Sequence, residues 1–192
     1  MLVFYGSYRS DRRGIRLADY LVRGLRARGE DVELIDAQKV GLPMLDRMFK
    51  EYGPGDAPEA MASLAAKIRL ADAFVFVVGE YNLGVQPGLK NLTDHFLEDW
   101  FWRPAAIASY SGGRLSGTRS SFAWRNILSE MGMVVISSTL TVGPITATLN
   151  EAGEPIGEGG AALARAFVPF ADDLAWWTEA ASAQRQRKAP PY

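Results

Sequence analysis

The run Ala73-Phe74-Val75-Phe76-Val77-Val78-Gly79 constrains this chain more than any other segment. It carries no polar side chain and is rich in β-branched and aromatic residues, so it predicts a strand buried on both faces. Such a strand belongs in the middle of a parallel sheet covered by helices on either side. It also fixes a minimum scale for the fold, because both helical layers must come from the rest of the chain.

The flanking sequence supplies them. Leu2-Val3-Phe4-Tyr5 reads as a strand ended by Gly6, and the helical stretch that follows sets Ile15, Ala18, Leu21, Val22 and Leu25 on one face before Gly29 stops it. Residues 31–35 read as a second strand, and 41–58, with several prolines and glycines, as a long surface loop. Helices are expected at about 58–70, 88–96 and 118–131, with further strands at 105–108 and 133–136. After an acidic, glycine-rich loop at 151–160 comes a terminal helix over 161–183 that contains Pro169, and then a polar tail over 184–192 that is expected to fray. The pattern predicts one domain over 1–183, an α/β fold with a five-stranded parallel sheet and helices on both faces. No internal repeat or linker interrupts it.

Composition narrows the function. Lysine and arginine number 21 against 22 acidic residues, so the net charge of -1 gives no global attraction to nucleic acid or to an anionic membrane. The chain has no cysteine, which removes disulfides, thiolate metal sites and thiol chemistry; electron transfer would need a bound cofactor. The apolar run Ala73–Val78 is too short to span a bilayer, and the opening Met1–Tyr5 has no basic segment of a signal peptide, which predicts a cytoplasmic protein.

In an open parallel sheet a ligand sits beyond the carboxyl ends of the strands, so the residues just after each strand matter most. Three loops stand out. The first, Gly6-Ser7-Tyr8-Arg9-Ser10-Asp11-Arg12-Arg13-Gly14, combines hydroxyls, three arginines and a helix start, the makings of a phosphate cradle; an ordinary solvated turn is the alternative. It has neither a Gly-x-Gly-x-x-Gly dinucleotide motif nor a Walker lysine, which favours a monophosphate. The second, Gly79 to Asn91, mixes aromatic, amide and flexible residues suited to a planar, polar-edged ring, or equally to a turn with a helix cap. The third, Ser109 to Gly117, offers backbone amides where glycine lets a ring lie close.

Together the loops resemble the NADPH-dependent FMN reductase family, which includes azoreductases and small quinone reductases. Gly6, Ser7, Arg9, Arg12 and Gly14 are similar to its phosphate motif. Glu80, Tyr81, Asn82, Leu89, Lys90, Asn91 and Asp94 resemble its Pro-Glu-Tyr-Asn and Leu-Lys-Asn segments, and Ser111, Gly112 and Gly113, followed by Gly117-Thr118-Arg119, resemble its flavin-edge loop. Two positions depart. The proline before the Glu is Gly79 here, and Pro87 lies one place later than expected, which predicts a different backbone from Leu83 to Gln86 within a loop of unchanged length.

The resemblance implies a flavodoxin-like, doubly wound sheet that binds FMN through Ser7, Arg9, Arg12, Gly14, Ile15, Glu80, Tyr81, Asn82, Leu83, Ser111, Gly112 and Gly113. It implies NADPH or NADH as co-substrate, a small-molecule electron acceptor, and a homodimer or homotetramer. Chemistry carried by the flavin needs no catalytic side chain, so the ping-pong use of one site is expected, and the single histidine, His95, is read as packed or surface imidazole. Tyr81 is expected to stack near the ring, and the aromatic cluster His95, Phe96 and Trp100 to Trp102 to sit at a subunit contact. The competing reading is a flavodoxin-type electron carrier without a small-molecule substrate; its usual strong acidity and arginine-poor phosphate loop are missing here.

Overall fold

A computed structural model describes residues 1–192. Five strands, β1 (Leu2–Tyr5), β2 (Glu33–Asp36), β3 (Phe74–Gly79), β4 (Pro104–Tyr110) and β5 (Val134–Val142), form one parallel sheet in the order β2-β1-β3-β4-β5. The helices are α1 (Ile15–Ala27), α2 (Ala37–Val40), α3 (Glu59–Leu70), α4 (Pro87–Asp94), α5 (Thr118–Glu130), α6 (Ile145–Thr148) and α7 (Gly157–Arg187). This is the expected flavodoxin-like doubly wound sheet. The order reverses between β1 and β3, which opens a crevice at their carboxyl ends.

Strand β3 is fully buried, and its pleat divides the core in two. Val75 and Val77 face one layer, with Leu17, Leu21, Phe167 and Phe170 from α1 and α7. Phe74, Phe76 and Val78 face the other, with Leu64, Ile68, Leu89 and Trp124. Phe76 stacks between Phe4, 5.2 Å away, and Trp124, at 5.9 Å. Period-2 alternation on a strand buried on both sides thus feeds two cores from one apolar run.

Several expected boundaries move. Strand β5 runs on to Val142 instead of ending at Ile136, because the register slips between the Ala105 and Ile107 pairs and a bulge breaks the apolar alternation. Asp173 on α7 accepts from Ser138 N at 3.0 Å, which satisfies an amide freed there. Helix α7 starts at Gly157 and continues to Arg187, past the expected end at 183. Arg185 holds its last turn, donating to the Trp102 carbonyl at 3.1 Å, and the expected frayed tail folds back, with Trp102 Nε1 donating to the Tyr192 carbonyl at 3.0 Å.

Part of the aromatic cluster is also placed differently. Phe96 and Trp100 are buried within the chain, where Trp100 meets the edges of Phe4 and Phe74, so they fill the core and not a subunit contact. His95 is buried at the end of α4 with Nδ1 against the Asn91 carbonyl at 2.7 Å. The long 41–58 loop is pinned to this helix. Asn91 accepts from Leu45 N at 2.9 Å and donates to the Pro43 carbonyl at 2.7 Å.

Candidate functional site

Strands β1, β3 and β4 are neighbours, so the three glycine-rich loops meet at one end of the sheet. In the first, Ser7 is buried, and its Oγ lies 3.3 Å from the Tyr81 hydroxyl of the second loop. Helix α1 starts at Gly14 without a side-chain cap or an acidic residue in its first turn. The amides of Ser10 to Gly14 donate to no acceptor within the chain. The first-turn amides of Ile15, Arg16 and Leu17 are bonded to the Arg12, Arg13 and Gly14 carbonyls, so the N–H groups open to an anion are those of the loop just before the helix, near its positive end.

The three arginines beside it divide their work. Arg13 pairs with Asp11 at 2.7 Å, both exposed. Arg12 turns away from the loop, with its guanidinium 2.6 Å from the buried Asp36 carboxylate, 2.7 Å from Gln38 Oε1 and over the Tyr5 ring. The two charges lie in reach because Asp36 ends β2 next to β1, and this partnership holds the Arg12 guanidinium above its ordinary pKa despite burial. Arg9 makes no side-chain hydrogen bond and is exposed at the cleft.

The second loop turns tightly. Tyr81 and Gly84 exchange backbone hydrogen bonds of 3.1 and 2.8 Å, with Asn82 and Leu83 between them at φ of 49° and 71°. Two successive left-handed residues make a type I′ turn, which asparagine tolerates and leucine does not favour. Strain of this kind collects where a loop is held for function. Glu80 pairs through Oε1 with Arg119 on α5, and its Oε2 is buried without a partner.

In the third loop, Ser111 Oγ binds both the amide and the carbonyl of Gly113, at 3.2 and 2.9 Å. A Cβ at Gly112 or Gly113 would meet nothing within 4 Å, so the chain's own packing does not demand glycine there. Bare backbone at that point leaves room for a flat group to lie against it.

A cleft of about 230 Å³ joins the loops, lined by Ser7, Arg9, Glu80, Tyr81, Ser111 and Gly112 among others. Arg12 is held by Asp36, Gly14 packs on the Tyr110 ring, Ile15 rests half-buried on the core, and Asn82, Leu83 and Gly113 stand exposed at the loop tips. A second, more apolar cavity of about 470 Å³ shares Arg9 and Tyr81 and is lined also by Tyr8, Leu42, Met44 and Pro87. Tyr110 lines the cleft with Tyr5 beside it, and burial raises the hydroxyl pKa of both, so both stay protonated. Sequence reasoning missed Gln86, fully buried here with a hydrogen bond to Tyr110; the displaced Pro87 was the only signal.

Residues 1–147 match the NADPH-dependent FMN reductase family. The chain belongs to that family. NADPH-dependent FMN reductases are oxidoreductases that use FMN and a nicotinamide nucleotide. An NAD(P)H-dependent FMN reductase of Schizosaccharomyces pombe is 35% identical over 115 residues, 58% of each chain, and a quinone reductase of Escherichia coli is 32% identical over 92 residues, 46% of this chain and 49% of its own. The matches therefore span about half to three fifths of these relatives' length. Among solved structures, the flavoenzyme NAD(P)H:(acceptor) oxidoreductase of Paracoccus denitrificans has a TM-score of 0.76 at 24% identity, covering 91% of this chain and 96% of its own, which is a likeness of fold.

The family's cofactor can be tested against the residues present. Five unpaired amides beside Arg9 suit a phosphate, the bare Gly112-Gly113 backbone suits a planar ring, and the unpaired Glu80 Oε2 can accept from a ligand N–H. No helix is long and apolar enough to cross a membrane.

Proposed function

We propose that this chain is an FMN-dependent oxidoreductase that moves a hydride from NADPH or NADH to a small acceptor such as a flavin, a quinone or an azo compound. The observation that carries the reading is the row of unpaired amides from Ser10 to Gly14 beside Arg9, set across a cleft from the uncovered backbone of Gly112 and Gly113. Ser10 to Gly14 and Arg9 would bind the phosphate; Ser7, Glu80, Tyr81, Ser111, Gly112 and Gly113 would hold the ring system. Bound FMN supplies reversible two-electron chemistry of its own.

The chain's part is then to bind, orient and exclude water. Its backbone amides at the ring edge would stabilise negative charge that develops there on reduction. No titratable group in the cleft is required as acid or base, and the only histidine is buried at the C-terminal end of α4. With one cleft for both substrates, the nucleotide must leave before the acceptor binds, which gives ping-pong kinetics. The near-neutral charge and arginine-rich first loop favour this over a flavodoxin-type carrier that docks on other proteins.

FMN titration followed by steady-state oxidation of NADPH and of NADH against a panel of acceptors tests the proposal. Parallel double-reciprocal lines are expected. A protein that takes up no flavin, or one that binds it yet oxidises neither nucleotide, would overturn it.

A further inference from the structure

The two departures from the family motif touch each other. Gly79, which stands where the motif has proline, donates its amide to Gln86 Oε1 at 2.8 Å, and Gln86 occupies the place from which the second proline has been displaced. A proline at 79 could not make this bond. A Cβ there would lie 2.8 Å from Gln86 Nε2 and 2.9 Å from the Tyr110 hydroxyl, so the buried amide fits only because residue 79 has neither a ring nor a side chain.

Gln86 then reaches further. Its Nε2 donates to the Tyr110 hydroxyl at 3.0 Å, and both side chains are buried. Tyr110 ends β4 directly before Ser111, so it belongs to the third loop, and its ring end is clasped by Gly14 of the first, where a Cβ would lie 2.0 Å from Cζ. One hydrogen-bonded unit therefore ties together the backbone of all three loops: Gly14 by contact, Gly79 and Gln86 by amide bonds, Ser111 through the chain. The Gln86 carbonyl also starts α4, accepting from Lys90 N at 3.0 Å.

We infer that Gln86 is a positioning residue for the flavin: paired with Gly79 and Tyr110 where the family motif has prolines, it sets the three loops at the spacing the cofactor needs. The inference rests on the reading of the cleft as an FMN site. It names a residue that lines neither cavity and acts only through the loops it joins. Two rigid prolines restrict a loop by fixing its backbone, whereas a buried glutamine restricts it by leaving any other arrangement with unpaired polar groups.

The test is FMN titration of Gln86→Met, Tyr110→Phe and the double variant by flavin fluorescence, with visible circular dichroism of the bound flavin and the unfolding temperature of each apoprotein. Gln86→Met keeps the volume but strands the buried Gly79 amide and removes the donor to the Tyr110 hydroxyl, so the FMN Kd should rise by about tenfold with a changed dichroism band. Tyr110→Phe should have a smaller effect. The double variant should be no weaker than Gln86→Met within about twofold, because a unit already broken has little left to lose. A folded Gln86→Met protein with the wild-type Kd and dichroism overturns the inference, even if its unfolding temperature falls, since the role would then be in stability alone. If Gln86→Met does not fold, Tyr110→Phe decides the matter by the same two readouts. Wild-type protein that binds no FMN would overturn the functional reading itself and this inference with it.

Discussion

Arg9 and Arg12 look interchangeable in the sequence, and the structure gives them opposite jobs that two alanine substitutions will separate. Arg12 is four-fifths buried and faces Asp36, whose side chain is 3% exposed. Arg12→Ala strands that carboxylate. Loss of one partner of a buried pair costs about 3–5 kcal/mol, and the surviving bond from Gln38 N to Asp36, together with the partial exposure of Arg12, brings the expected loss to about 2–3 kcal/mol. For a chain of this length that lowers Tm by roughly 4–12 °C. Asp36→Asn in the Arg12→Ala background removes the orphaned charge, keeps a helix-capping oxygen, and should recover most of the loss. Arg9 has no partner to strand, so Arg9→Ala should change stability by less than about 0.5 kcal/mol, while FMN binding weakens by about 1.5–3 kcal/mol, roughly 10–150-fold in Kd. Calorimetry of the apoproteins and fluorescence titration with FMN read the two effects independently. The reasoning is refuted if Arg12→Ala melts like wild type and loses FMN, or if Arg9→Ala retains full affinity.

His95→Ala should keep turnover within about tenfold in flavin-loaded protein, since the imidazole is buried at the end of α4; a loss of 10²-fold or more would mark a general acid or base. Leu83→Gly relieves about 1–2 kcal/mol of left-handed strain at φ 71° and gives back about 0.5–1 kcal/mol through a more flexible unfolded chain, so stability should be unchanged or up to about 1.5 kcal/mol greater, read as a higher urea midpoint, and a lower one would show that Leu83 makes a contact worth more than its strain. Burial raises the Tyr110 pKa above its ordinary value near 10, so the stability it carries is intact below that value and drains as pH climbs past it. Urea midpoints at about pH 8 and pH 11 should therefore fall less in Tyr110→Phe than in wild type; equal slopes would mean that the hydroxyl titrates freely.

The sequence alone determined the sheet, and it pointed to the loops at its carboxyl end. An apolar run such as 73–79 can be satisfied only between two layers, alternation of short apolar runs with helical periods calls for a parallel sheet, and the family resemblance supplied its flavodoxin-like order. Composition of the first loop pointed to phosphate for a local reason: hydroxyls, arginines and a helix start crowd into nine residues. Contacts between residues distant in the chain were decided by the tertiary structure. Whether Arg12 faces a ligand or Asp36 depends on β2 lying beside β1, and whether Trp100 is surface or core depends on Phe4 and Phe74 arriving from two other strands. Strand β5 hid its length because a bulge erases the alternation that a strand is recognised by. Gln86 was invisible because a buried amide is defined by its partners, Gly79 from the preceding strand and Tyr110 twenty-four residues on, and no local pattern encodes a hydrogen bond that only packing brings within reach.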